Sequence, residues 1–193
     1  MATTTITSPI RPTASGLATA DETRTAFTEH REELAWLAGF LTADEMVAAA
    51  CLIDARKLAQ SEVKVVPDWL CTSARDATIR SALEVQGVRI AQLSSAYDRR
   101  ANTHVQHAAL PLDTDTLEFL VRESDQIRVR LDSICRFVLV LCGIENRCSQ
   151  QVARLLGISE HALGAAYCTA LQSLDVIRSQ AIIESYGYAA ACN

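Results

Sequence analysis

An arginine-rich stretch bordered by aromatic residues has the composition of a single-strand-binding surface. Five arginines and three acidic residues occupy positions 72–100, with Trp69 before them and Tyr97 near their end. Arginines hold a phosphate backbone while bases stack on aromatic rings, so Trp69, Arg75 and Arg80 are candidate DNA contacts. The alternative, which we favour, is a solvated helix face with ion pairs, such as one between Arg80 and the glutamate four residues later.

A second candidate for DNA binding is the stretch Ser149–Leu174, which has the pattern of a helix-turn-helix. Gly157 favours the end of a first helix, and the hydroxyl of Ser159 can cap the second. Apolar residues at spacings of three and four predict one buried side on each helix. These residues are Val152, Leu155 and Leu156 in the first helix, and Leu163, Tyr167, Ala170, Leu171 and Leu174 in the second.

The opposite side of the second helix is the side that reads the DNA major groove in such a unit. Here it carries no lysine or arginine, and its residues are Glu160, His161, Gly164, Ala165, Cys168 and Thr169. Affinity for phosphates comes mainly from Lys and Arg, so the pattern predicts weakened DNA binding. The candidate contacts are Ser149 and Ser159, near helix N-termini where phosphates bind, together with Glu160, His161 and Thr169.

Cysteine and histidine positions give little support to a metal site. The seven cysteines are odd in number and include no Cys-x-x-Cys pair, which favours buried, reduced thiols. A zinc site formed by Cys142, Cys148 and a histidine is the alternative, but its spacing matches no familiar ligand pattern. His104 and His107 fall in a predicted linker, and His30 and His161 stand alone. We therefore expect no metal and no cofactor.

Catalytic motifs are also missing from the sequence. It contains no glycine-rich phosphate loop, no nucleophile elbow and no His-Glu-x-x-His helix. Ser159 and His161 lie close together, but a capping role for the serine explains this pair better. We expect that the protein is not an enzyme.

Composition points to an all-helical protein. Hydrophobic residues make up 49% of the 193 residues, and there are only seven glycines and four prolines. The net charge of −5 argues against nonspecific coating of nucleic acid. No stretch approaches the roughly 20 apolar residues of a membrane helix, and the N-terminus lacks the pattern of a secretion signal. We expect a cytoplasmic protein without a membrane partner.

The order of the predicted elements divides the chain into two small helical modules joined by a linker. Residues 1–20, rich in Thr, Ser and Ala, are expected to be a disordered tail. Residues 21–98 form the first module and residues 99–115 the linker. Residues 116–193 form the second module, which contains the helix-turn-helix.

Capping and apolar periodicity predict the helices inside these modules. The first runs over residues 21–38, and Thr42 with Glu45 has the spacing of a capping box at the start of the next. A third helix covers residues 68–97, with a bend near its glycine at position 87. From residue 116 onward, a helical apolar stripe continues to residue 142.

This arrangement resembles the two-domain alternative sigma factors of bacterial RNA polymerase, of the extracytoplasmic-function type, over residues 26–178. The family has an apolar helix, a polar break and then Ile-Ala-x-x-Leu-Gly-Ile-Ser. Here Phe137-Val138-Leu139-Val140-Leu141 precedes Gln151-Val152-Ala153-Arg154-Leu155-Leu156-Gly157-Ile158-Ser159. In the first half, residues 37–45 are similar to the end of the family's first helix, and Trp69-Leu70 with Ala74-Arg75 to its promoter-melting helix.

The resemblance implies partners and also shows where this chain departs from the family. The polymerase-docking helix usually carries acids and a glutamine, whereas the matching residues here are apolar. Candidate polymerase- or partner-binding residues are Met46, Ala49, Ala50, Leu52 and Ile53. The recognition helix usually carries a lysine and two arginines, and the matching positions are Gly164, Ala166 and Thr169. Each lost bidentate arginine contact removes ~1–3 kcal/mol of base discrimination.

Two functional hypotheses follow. The first is a diverged sigma-like transcription protein that binds RNA polymerase core and, weakly, promoter DNA. The second is a non-catalytic interaction module that keeps the sigma architecture without DNA binding. Its partner would be a second copy or a protein of the anti-sigma type. A regulator that responds to a small molecule is a third, weaker hypothesis.

Overall fold

The computed structural model describes residues 19–61, 70–101 and 111–191. Its regular elements are helices, and no strand occurs in these ranges, so the all-helical prediction is confirmed. In chain order the elements are α1 (Ala20–Glu29), α2 (Arg31–Thr42), α3 (Glu45–Ser61), α4 (Leu70–Ala101), α5 (Thr114–Arg122), α6 (Ser124–Arg130), α7 (Ser133–Val138), a π-helix (Leu139–Ile144), α8 (Ser149–Leu156) and α9 (Glu160–Ala191).

Local capping explains where the first helices begin. Thr19 and Glu22 form a capping box, in which the Thr19 hydroxyl accepts from the Glu22 N–H at 3.2 Å and the Glu22 carboxylate accepts from the Thr19 N–H at 2.7 Å. A single helix was predicted from Asp21 to Ala38. It is instead two helices, α1 and α2, separated at His30, and α2 continues to Thr42.

The junction of α2 and α3 differs from the predicted one. Ala43 adopts a left-handed conformation with φ 55°, and the Asp44 carboxylate accepts from the Val47 N–H at 3.0 Å. Thr42, the predicted cap, is the last residue of α2, and its hydroxyl donates to the Ala38 carbonyl at 2.8 Å. The predicted capping box of Thr42 and Glu45 is therefore wrong, because the Thr42 side chain is buried and bonded within its own helix.

The long helix α4 is central to the fold. It contacts α1, α2 and α3 on the N-terminal side of the sequence and α7, α8 and α9 on the C-terminal side. It runs without interruption through Gly87, where a bend was predicted. At its C-terminal end, the ring of Tyr97 is buried, and its hydroxyl donates to the Asp132 carboxylate at 2.6 Å.

The most deeply buried segment is α7 with the π-helix that continues it. Every residue from Ser133 to Gly143 is buried, as expected for a helix that is apolar on nearly all sides. Near the end of the π-helix, the Gly143 carbonyl accepts from the Leu112 N–H at 3.1 Å. A side chain on Gly143 would clash with Leu112, since its Cβ would lie 2.8 Å from the Leu112 Cγ.

One buried arginine joins elements that are distant in sequence. Arg136 of α7 is only 4% exposed, and its guanidinium donates to the carbonyls of Leu41 at 3.2 Å and Arg128 at 3.0 Å, and also to Leu131. These carbonyls lie at the C-terminal ends of α2 and α6, where they lack helical partners and attract a positive charge. Burial lowers the pKa of Arg136 to about 10, so it remains charged at neutral pH.

The hydrophobic core draws on both predicted modules. A single buried cluster contains Leu37 and Phe40 of α2, Tyr97 of α4, and Leu163 and Ile177 of α9. A smaller cluster lies between α3 and α4. The helices thus pack around a shared interior, and the division into two modules remains a prediction. No helix in the ranges that the structure describes combines the length and apolar character needed to cross a bilayer.

Candidate interaction surfaces

The outer side of α3 is both apolar and exposed. Met46 is 81% exposed and Ile53 is 59% exposed, and Ala49 and Ala50 are exposed between them. Leu52, the fifth predicted partner-binding residue, is half-buried. Helical spacing places Met46, Ala49, Ala50 and Ile53 on one side of the helix, and we refer to these four residues as the α3 patch. A group of adjacent exposed apolar side chains, rather than a single one, is the kind of surface that marks interaction sites in soluble proteins.

Ion pairs border the α3 patch. Arg128 of α6 lies 3.4 Å from the Glu45 carboxylate at the start of α3, and Lys57, about one turn after Ile53, lies 2.8 Å from the Asp54 carboxylate. An apolar centre with a charged rim is the common arrangement of protein–protein interfaces.

The turn between α8 and α9 has the predicted local geometry. Gly157 ends α8 with φ 65°, a left-handed conformation that glycine adopts without strain. The Ser159 hydroxyl accepts from the Ala162 N–H at 2.9 Å, which caps α9. The same hydroxyl donates to the carboxylate of Asp98, near the C-terminal end of α4. Ser159 is exposed, and its hydroxyl makes these two hydrogen bonds to partners within the protein.

The apolar sides of α8 and α9 match the prediction in most positions. Val152 and Leu156 are buried, as are Leu163, Tyr167, Ala170 and Leu174, whereas Leu171 is half-buried. Leu155 is 37% exposed, and Ala153 is buried in its place. The prediction for Leu155 is wrong because the buried side of α8 is rotated toward Ala153 and away from Leu155.

The outward side of α9 is uncharged from Gly164 to Thr169. Glu160 and His161 are exposed, while Gly164, Ala165, Cys168 and Thr169 are half-buried. The Thr169 hydroxyl donates to the Ala165 carbonyl at 2.8 Å, within its own helix. Ala166, aligned with a family DNA contact, is completely buried and cannot touch DNA in this conformation. Ser149, the first residue of α8, is half-buried.

Arg75, a candidate DNA contact, is held by two acidic residues. Its Nε donates to the Glu145 carboxylate at 2.9 Å, and its Nη1 pairs with the Glu33 carboxylate. The side chains of Arg75 and Glu145 are only 17% and 13% exposed. A similar pair joins Arg147 to Asp76, one residue further along α4. Arg75 and Arg147 thus attach α4 to the segment after the π-helix.

The remaining parts of the predicted single-strand surface are dispersed. Trp69 lies outside the described residues, and Arg80 is exposed on α4. Tyr97 is only 2% exposed and is not accessible for base stacking, so that part of the prediction is wrong. Its ring is covered by the guanidinium of Arg100, 5.3 Å from the ring centroid.

A group that the sequence analysis missed lies at the break between α1 and α2. The Nδ1 atom of His30 is 3.4 Å from a carboxylate oxygen of Glu33, and Cys71 of α4 approaches both. His30, expected to stand alone, is thus part of a cluster, and the Cys142–Cys148–histidine alternative is not found among the described residues. The only signal was the three-residue spacing of His30 and Glu33, because Cys71 is distant in sequence.

Burial raises the pKa values of thiol and phenol groups in the interior. Burial raises the pKa of Cys135 to about 12 and that of Cys142 to about 11. Burial likewise raises the pKa of Tyr167 to about 12. Because the thiolate is the reactive form of cysteine, these two thiols are poor nucleophiles at neutral pH.

No protein-family model matches the chain, and no curated protein or solved structure is detectably similar to it.

Proposed function

We propose that the protein is a sigma-like transcription protein that binds RNA polymerase core through the α3 patch and reads promoter DNA only weakly. The observation that carries this proposal is the exposed apolar side of α3, at the position that the sigma resemblance assigns to polymerase docking. Full burial of side chains as large as Met46 and Ile53 contributes about 1.5–3 kcal/mol each. Such a surface is suited to a protein partner rather than to a polyanion.

We propose weak promoter binding because two candidate DNA contacts have partners within the protein. The Ser159 hydroxyl is bonded to Asp98, and Arg75 is paired with Glu33 and Glu145. The outward side of α9 offers no cation between Glu160 and Thr169. With few available cations, binding to duplex phosphates has little of its usual electrostatic driving force. The predicted helix-turn-helix, which would consist of α8 and α9, is the feature that keeps DNA binding in this proposal.

A second candidate function is an interaction module that binds neither polymerase nor DNA. The observation in its favour is the outward side of α9, where Gly164, Ala165 and Cys168 are small, uncharged and half-buried. Small side chains would let a helix from a second copy of this chain approach closely. This candidate predicts a stable oligomer with α9 at its interface.

The experiment for the first candidate is binding of the purified protein to immobilised core RNA polymerase. The variant Met46→Glu/Ile53→Glu places two charges in the α3 patch and is expected to weaken binding at least about tenfold. The matched control is Val176→Glu/Ile183→Glu, which changes two exposed apolar residues of α9 at the same seven-residue spacing. Failure of the wild-type protein to bind core polymerase would overturn the proposal.

Light scattering tests the second candidate. An oligomer that Cys168→Arg dissociates, and that Ser179→Arg on the exposed part of α9 leaves intact, would support the interaction module. A monomer at all concentrations would exclude self-association. Retention of the protein on promoter DNA at low salt, in the presence of polymerase, would instead support the DNA-binding part of the first candidate.

A further inference from the structure

The cluster of His30, Glu33 and Cys71 brings three kinds of metal ligand together. His30 lies in the break between α1 and α2, Glu33 in the first turn of α2, and Cys71 in the first turn of α4. One ligand atom from each residue lies within 4.8 Å of the other two. We propose that these three residues bind a divalent metal ion of the zinc class.

The donor set is the basis for this choice of metal. A thiolate, an imidazole and a carboxylate are the ligands of Zn²⁺, whereas Ca²⁺ and Mg²⁺ take oxygen ligands. In a tetrahedral zinc site, ligand atoms about 2.0–2.3 Å from the metal are roughly 3.5 Å from one another. The His30 Nδ1 atom and the Glu33 carboxylate oxygen are already 3.4 Å apart. Small side-chain rotations of Cys71 complete the three-ligand arrangement.

Arg75 positions the Glu33 carboxylate for this role. Its guanidinium pairs with the Oε1 atom of Glu33, while the Oε2 atom lies on the His30 side. Arg75 is itself fixed by Glu145, whose carboxylate offsets part of its positive charge. Hydrogen-bonded partners that orient a ligating side chain are a regular part of protein metal sites.

The charges and the access of the cluster also fit a divalent cation. A thiolate at Cys71 and a carboxylate at Glu33 carry two negative charges, which a divalent ion neutralises, while His30 binds as the neutral ring. Glu33 is exposed and the other two residues are half-buried, so an ion can enter from solvent. Three protein ligands leave one coordination position for water or another small ligand.

Metal binding here would join the break between α1 and α2 to the start of α4. Because an ion that binds only the folded state stabilises it, the site is expected to raise the melting temperature of the protein. This inference does not depend on the proposed function, since it concerns a surface other than the α3 patch and α9.

The test is titration of the reduced, metal-free protein with Co²⁺ as a spectroscopic probe for Zn²⁺. We expect one equivalent to bind with a thiolate-to-cobalt charge-transfer band. Cys71→Ser should abolish that band. His30→Ala should weaken binding by at least the roughly 10–100-fold that loss of an outer partner costs. The matched controls are Cys148→Ser, an exposed thiol elsewhere, and His161→Ala, an exposed histidine, and both should bind as the wild type does.

A second measurement is thermal unfolding with and without Zn²⁺. The melting temperature of the wild type and of both controls should rise on addition of Zn²⁺, whereas that of Cys71→Ser and His30→Ala should not. A charge-transfer band retained in Cys71→Ser, or an equal rise in all variants, would overturn the proposal. If Cys71→Ser does not fold, the half-buried His30 serves for both measurements, and wild-type affinity in folded His30→Ala would equally overturn the proposal.

Discussion

Arg75 illustrates how an individual side chain acquires its role from residues that are far away in the sequence. Glu33 lies 42 positions before it and Glu145 lies 70 positions after it, and both carboxylates pair with its guanidinium. The ion pair with Glu145 is largely shielded from water, so its members depend on each other. Breaking such a pair from one side costs more than losing an exposed ion pair, because the remaining charge is left without a partner.

We therefore expect Arg75→Met to lower the free energy of unfolding by about 1–3 kcal/mol, since Glu145 would lose its charged donor. The control is Arg99→Met on the exposed surface of the same helix, which is expected to change stability by less than about 0.5 kcal/mol. Urea denaturation followed by circular dichroism measures both values. Equal midpoints for the two variants would contradict this structural role.

At this scale the sequence predicted only contacts between residues that are close together in the chain. The capping role of Ser159 follows from its position after Gly157, and the structure confirms it. The bonds of Ser159 to Asp98 and of Arg75 to Glu145, and the approach of Cys71 to His30 and Glu33, join distant segments. Propensities and spacings contain no information about such contacts, because these depend on how the helices pack.

At the scale of helices, Gly157 occupies a position that requires glycine, whereas Gly87 occupies one that does not. Gly157 has φ 65° at the end of α8, where other residues are strained although no atom would obstruct a Cβ. Gly87 lies inside α4, and a Cβ added there would also meet no atom within 4 Å. The two positions are equally open in space and differ only in backbone conformation.

Substitution by alanine is expected to change the stability of the protein in opposite directions at these two glycines. Gly157→Ala is expected to destabilise the protein by about 1 kcal/mol or more, because alanine disfavours the left-handed conformation. Gly87→Ala is expected to stabilise it by about 0.5–1 kcal/mol through the better helix propensity of alanine. Thermal unfolding of the two variants, compared with the wild type, provides the check. A stabilised Gly157→Ala would contradict the left-handed end of α8.

Helix existence was more predictable than helix boundaries. The apolar sides of α8 and α9 follow from three- and four-residue spacings, and most of their residues are buried as expected. The apolar segment Ser133–Gly143 is buried on all sides, and its pattern predicted a helix. The pattern did not show that the last part of this helix is a π-helix, because an apolar run is compatible with either hydrogen-bonding pattern. The start of α3 was misplaced because Thr42 and Asp44 are both good caps, and tertiary burial of Thr42 decides between them.

At the scale of the molecule, the shared core and Arg136 connect the two halves of the chain. The cluster that contains Leu37 also contains Ile177, and the guanidinium of Arg136 bonds to the ends of both α2 and α6. A module that shares its interior and its buried polar bonds with its neighbour is not expected to unfold alone.

We expect the two halves to unfold in one cooperative transition. In hydrogen exchange at increasing urea, peptides from α2 and α9 should lose protection at the same concentration. Arg136→Met should lower both midpoints together, with a loss of about 2–4 kcal/mol in the free energy of unfolding, because three carbonyls lose their donor. Arg130→Met, on the exposed side of α6, is the control. Protection in α9 that outlasts protection in α2 would favour two independent modules.

The bond between Ser159 and Asp98 has a consequence for any polyanion that approaches α9. The free N–H groups and the partial positive charge at a helix N-terminus attract phosphates, and here a carboxylate of the chain itself already occupies that vicinity. An intramolecular group competes at a high effective concentration, whereas a phosphate must arrive from solution. Asp98 would therefore compete with a phosphate for the N-terminus of α9.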